Sequence, residues 1–139
     1  MNFEEIKHKI RPIFEKDRDV LFGYIFGSQV TGKTDFESDV DIAVFLDEKR
    51  VKDMFKKRLS LIGKLEGVLK KTTEVVVLNE IKSIFFKFVI IKEGRVVFER
   101  DHSQRVDFEL KTIQDYYDYE PFLDAYNKAY LERELAKHE

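Results

Sequence analysis

The sequence predicts an α/β domain in which a small mixed β-sheet is flanked by helices. Three observations carry that expectation. Apolar residues recur at helical spacing over Met1–Lys16 and again after Val51. Short runs rich in Val, Ile and Phe have the length of strands and are bounded by polar or glycine-containing turns. Finally, the two kinds of segment alternate along the chain, with no internal repeat and no low-complexity linker between them.

Taken in order, Met1–Lys16 is expected to be a helix whose stripe is Phe3, Ile6, Ile10, Ile13 and Phe14, bent or ended by Pro12, with His8 facing solvent. Val20–Phe26 is the first strand, and Gly23 inside it marks a bulge or a close backbone approach. Ser28–Thr31 is expected to open a short helix, and Gly32–Asp35 has turn chemistry. Val40–Leu46 is the second strand. A helix from Asp47 to about Lys70 follows, with Val51, Met54, Phe55, Leu59, Ile62, Leu65 and Leu69 towards the sheet and its last turns loosened by Gly63 and Gly67. Thr72–Leu78 is a β-branched third strand. Asn79 is placed to cap a helix over Glu80–Lys92 with Ile81, Ile84, Phe85, Phe88 and Ile91 inward, and Arg95–Arg100 is a fourth strand. From Ser103 a helix carries Val106, Leu110, Ile113 and Tyr117. Pro121 is expected to interrupt it before a last helix lined by Phe122, Ala125, Tyr126, Ala129 and Tyr130.

Composition narrows the function classes. A chain of 139 residues, 43% hydrophobic and 14% aromatic, can build one core. The expected division is a body over residues 1–101 with a helical extension, residues 102–139, packed on it. A net charge of −2 supplies no global field towards nucleic acid or membrane, and neither is an expected partner. Charge is nonetheless uneven: residues 49–71 hold nine Lys or Arg against two acids, and residues 99–139 hold eleven acids against six bases. These are either solvated helix faces or a docking surface for an oppositely charged partner. The absence of Cys removes disulfides, zinc–thiolate sites and thiol nucleophiles. With no signal-peptide pattern and no apolar run long enough for a bilayer, the expected residence is cytoplasmic.

The chemistry concentrates in Phe26–Asp41, Phe-Gly-Ser-Gln-Val-Thr-Gly-Lys-Thr-Asp-Phe-Glu-Ser-Asp-Val-Asp. Ten residues separate Ser28 from Asp39, and Asp39-Val40-Asp41 runs into the second strand. Strand period two puts Asp39 and Asp41 on one face. Two adjacent carboxylates repel unless a cation sits between them, and a hard divalent ion with oxygen ligands fills that role. Gly27 permits close approach of the backbone and Ser28 offers a hydroxyl, the makings of a phosphate cradle. Lys33 is either a phosphate contact or a solvated loop lysine. Glu74 opens the third strand as the two aspartates open the second, and is either a third acid of the site or an exposed strand-end carboxylate.

Gly-Ser, ten residues, then Asp-x-Asp between two apolar strands resembles the signature of the nucleotidyltransferase superfamily that includes DNA polymerase beta. Within it the chain most resembles the minimal nucleotidyltransferases (MNT) encoded beside HEPN-domain partners. The resemblance implies a polymerase beta-like fold, ATP as substrate and two Mg2+ ions. It also implies that Asp39 and Asp41 hold both ions, that Glu74 holds the catalytic one and accepts the proton, and that Gly27 and Ser28 receive the β- and γ-phosphates, with Lys33 the candidate substitute for a phosphate contact missing at Thr31. It further implies an antitoxin that transfers AMP to a tyrosine of a HEPN toxin ribonuclease, in a hetero-oligomer with it. The chain departs from the family pattern at Glu74, where Asp is usual, and at Thr31, where Arg is common. Those departures leave a binding-only antitoxin in play, alongside transfer to a small hydroxylated molecule such as an aminoglycoside.

Overall fold

Four strands and four α-helices lie along the residues that the computed structural model describes, 1–27 and 39–137. Helix α1 (Phe3–Lys16) begins where the Asn2 side chain accepts the Glu5 amide at 2.9 Å, with Glu4 and Glu5 favourably placed in the first turn. It buries Phe3, Ile6, Ile10 and Phe14. Pro12 neither ends it nor blocks packing, because it lies on the exposed side, where water can serve the carbonyl one turn back. His8 is exposed as expected.

Strands β1 (Val20–Phe26), β2 (Val40–Leu46), β3 (Thr73–Val77) and β4 (Arg95–Glu99) form one sheet in the order β3-β2-β1-β4. The β2–β3 pair is parallel and the others antiparallel, so the sheet is mixed. At Gly23 the ladder to β4 slips, and a Cβ there would stand 3.2 Å from the Ala43 carbonyl oxygen. The close approach read from that glycine is present.

Helix α2 (Met54–Leu69) starts later than the sequence suggested. Asp47 instead accepts the Arg50 and Val51 amides in a turn, and Asp53 is the cap, accepting the Lys56 amide at 3.0 Å. Its buried residues are Leu61, Leu65 and Leu69, while Phe55 and Leu59, expected inward, are 63% and 50% exposed. Gly63 and Gly67 lie within the helix, which runs on to Leu69. Helix α3 (Ile84–Glu93) is capped by Ser83, whose hydroxyl accepts the Phe86 amide at 3.1 Å. Asn79, expected as that cap, sits in a 3-10 turn (Leu78–Glu80) and serves β2 instead. Its side chain accepts from the Leu46 amide at 2.8 Å and donates to the Leu46 carbonyl at 2.9 Å.

Helix α4 (His102–Lys137) continues through Pro121 without the predicted break. Phe122 is exposed, and the side chains of Ala125, Tyr126 and Tyr130 lie outside the described residues. The core has two layers. One sheet face, with Val20, Ile42, Val44 and Val75, meets α1 and α2; the other, with Phe22, Tyr24 and Ala43, meets α3 and α4. Among the described residues no helix is long and apolar enough to cross a membrane.

Candidate active site

Three strands bring the site together. Phe26 of β1 pairs across the sheet with Asp41 of β2, and Asp41 pairs with Glu74 of β3, so the three side chains leave one face in a row. The row sits at one end of the sheet, on the side that α3 and α4 cover. Two contacts of backbone amides hold the start of β2 and β3 in place. The Val40 amide donates to the Thr72 carbonyl at 3.0 Å, and the Thr73 amide donates to Glu66 of α2 at 3.1 Å. Arg58 donates to the Val75 carbonyl at 2.7 Å and satisfies part of the outer edge of β3.

Asp41 is half-buried, whereas Asp39 and Glu74 are exposed. Burial, then the charges of Glu74 and Asp39, push the Asp41 carboxyl above its ordinary value. That repulsion is what a cation between the acids would relieve. Gly27 adds a steric constraint. Its φ is +77°, a left-handed conformation, and a Cβ would fall 2.5 Å from Asp41 Oδ2. The backbone thus bends directly against the central carboxylate, and a side chain there would fill the space.

Asp39, Asp41, Glu74 and Gly27 therefore share one end of the sheet. Ser28 and Lys33, the predicted Ser28–Thr31 helix and the Gly32–Asp35 turn lie outside the described residues. Among the described residues no three His, Cys, Asp or Glu side chains gather closely enough to form a ready-made metal site. The donors themselves, carboxylates that repel one another at a half-buried position, suit a hard divalent ion.

Sequence reasoning missed the aromatic wall beside the acids. The Phe26 ring meets Phe86 of α3 edge to face, with centroids 6.1 Å apart. Alternation along β1 could have placed Phe26 on the face of the acids; nothing local pairs it with a residue sixty positions away.

A family model described as "Polymerase beta, Nucleotidyltransferase" matches residues 8–103. No curated protein matches the chain. In fold it is similar to a chain of a toxin–antitoxin crystallised with AMP-PNP, at 24% identity and TM-score 0.71 over 93% of this chain and 98% of that one. It is also similar to a chain of the MntA-HepT toxin–antitoxin, at 22% identity and TM-score 0.66, covering 95% and 98%. The same identity, TM-score and coverage, 22%, 0.66, 95% and 98%, relate it to a chain of the complex between tri-AMPylated Shewanella oneidensis HEPN toxin and MNT antitoxin.

Proposed function

The chain belongs to the polymerase beta nucleotidyltransferase family, and on that premise we propose that it is a magnesium-dependent antitoxin that moves AMP from ATP onto a tyrosine of a HEPN toxin ribonuclease. One observation carries the reading: Asp41 and Glu74 in register on adjacent strands, with Asp39 acting on the same carboxyl and the Gly27 bend beside it. The folds it resembles include a toxin–antitoxin with AMP-PNP and an antitoxin complexed with an AMPylated toxin, which supports both the nucleotide and the partner.

In the reaction the tyrosine oxygen bonds to the α-phosphorus of ATP. The bond from that phosphorus to the bridging oxygen breaks, and pyrophosphate leaves with the electron pair. Asp39, Asp41 and Glu74 would hold two magnesium ions, whose charge, when bound, offsets that of the triphosphate and the leaving group. Glu74, exposed at the strand end, would take the phenolic proton. Gly27 lets the main chain approach the β- and γ-phosphates; by the family resemblance Ser28 would share that role, and Lys33 would add a charge. The protein's contribution is positioning and fixed charge.

Incubation with labelled ATP, magnesium and the HEPN toxin tests this. Label should appear on the toxin and fall by about a hundredfold or more with Asp39→Ala or Asp41→Ala. A binding-only antitoxin is the competing reading, favoured by the lack of a gathered three-acid cluster among the described residues. Toxin inhibition that survives both substitutions, with no label transferred by the unaltered protein, selects it instead.

A further inference from the structure

We propose that Phe86, in the first turn of α3, is the platform on which the purine base of the bound nucleotide stacks, with Phe26 bracing its ring. The inference rests on the nucleotide-binding reading above and adds to it the place of the base. Phe26 is bonded to Gly27 and paired across strands with Asp41, so its ring leaves the sheet on the side of that carboxylate. Phe86 meets it at 6.1 Å between centroids with the planes 72° apart. An edge-to-face contact leaves ring surface uncovered, and Phe86 remains 36% exposed with Phe85 beside it at 41%. The Ser83 hydroxyl accepts the Phe86 amide at 3.1 Å and fixes the backbone that carries the ring.

The helix itself is out of keeping with its surroundings. Its sequence, Ile-Phe-Phe-Lys-Phe-Val-Ile-Ile-Lys-Glu, is apolar on nearly every side, the pattern of a helix enclosed all round. Among the described residues of α3, however, Ile90 alone is buried. Bare aromatic surface that touches Phe26, the cross-strand partner of Asp41, suits a ligand with an apolar end and an ionic end. A nucleoside triphosphate is such a ligand. Its phosphates belong at Asp41 and the Gly27 bend, and its uncharged, flat base belongs on the adjoining ring. A purine offers more stacking surface than a pyrimidine.

The test titrates ATP and inorganic tripolyphosphate, each with magnesium, into the unaltered protein and into Phe86→Leu and Phe86→Tyr variants. The unaltered protein should bind ATP more tightly than tripolyphosphate. Phe86→Leu, which keeps an apolar contact with Phe26, should weaken ATP by about tenfold or more while leaving tripolyphosphate unchanged. Phe86→Tyr should retain ATP affinity. Unchanged ATP affinity in Phe86→Leu, or equal weakening of both ligands, overturns the platform. ATP bound no better than tripolyphosphate by the unaltered protein overturns the platform alone. Binding of neither overturns the nucleotide reading and the platform with it. Loss of toxin binding in Phe86→Leu at unchanged ATP affinity assigns the surface to the protein partner instead.

Discussion

At the scale of single residues, Asp41 carries a conflict that the rest of the fold tolerates. Its carboxyl is pushed above the ordinary value by burial and then by Glu74 and Asp39, so folding penalises the ionised form. For a carboxylate with a raised pKa, the folded state binds more protons than the unfolded one between the two values. Stability therefore falls as pH rises from the ordinary 3.8 through the folded pKa, and the cost is fully present above it. Asp41→Asn should raise the melting temperature of the metal-free protein at neutral pH, and the gain should shrink on acidification towards 3.8. Magnesium should stabilise the unaltered protein and not the variant, because a cation relieves repulsion only where the charge remains. Parallel melting curves at neutral and acid pH, with and without magnesium, check both halves.

Among the elements, the helices show where local pattern and packing part company. Phe55 and Leu59 fit an apolar stripe by spacing, yet α2 turns Leu61, Leu65 and Leu69 inward and leaves those two in solvent. Spacing fixes which residues share a face; the sheet decides which face is used. Asn79 shows the same thing for polar groups. A side chain able to cap a helix instead bridges both backbone groups of Leu46, where β2 ends. Asn79→Ala leaves that amide and carbonyl without partners and should cost about 1–3 kcal/mol. Denaturant titration would measure the loss, and faster hydrogen exchange at the Leu46 amide would locate it.

For the molecule as a whole, a charge cluster ties α2 to the turn between α1 and β1. Lys57 stands 2.6 Å from Asp17 Oδ2 and 2.9 Å from Asp19 Oδ2, and Arg50 reaches Asp19 Oδ1 at 2.9 Å. Asp17 Oδ2 is buried, with this ammonium as its counter-charge. The Lys57 hydrogen bond, opposed by burial and helped by Arg50, holds the Asp19 carboxyl below its ordinary 3.8. The sign is opposite to that at Asp41: this stability is present above 3.8 and lost as pH falls through the folded value. Lys57→Met keeps much of the side-chain stem and removes the charge. It should lower stability at neutral pH by about 2 kcal/mol and move acid unfolding to higher pH. Circular dichroism followed across an acid titration reads both effects. On the other side of the sheet, α4 is held by Phe108 against Phe22 and Phe45, and by the Tyr24 hydroxyl donating to Glu109 at 3.2 Å. Arg105 pairs with Glu99 and Glu109 to close that anchor.

The strands and the close backbone approach at Gly27 could be read from the chain. Each depends on interactions a few residues long: period two in a strand, and the freedom of a residue without a Cβ. Pro121 misled for the complementary reason, since a proline's cost is local while a helix of 36 residues gains from its whole length and its packing. Strand order, the place of Glu74 beside Asp41 and of Phe86 beside Phe26, and the use made of Asn79 were settled by the assembled fold. A sequence period states which way a side chain points. Which neighbour it then meets depends on how strands line up and helices cross them, and that is determined only when the two layers of the core close on the sheet.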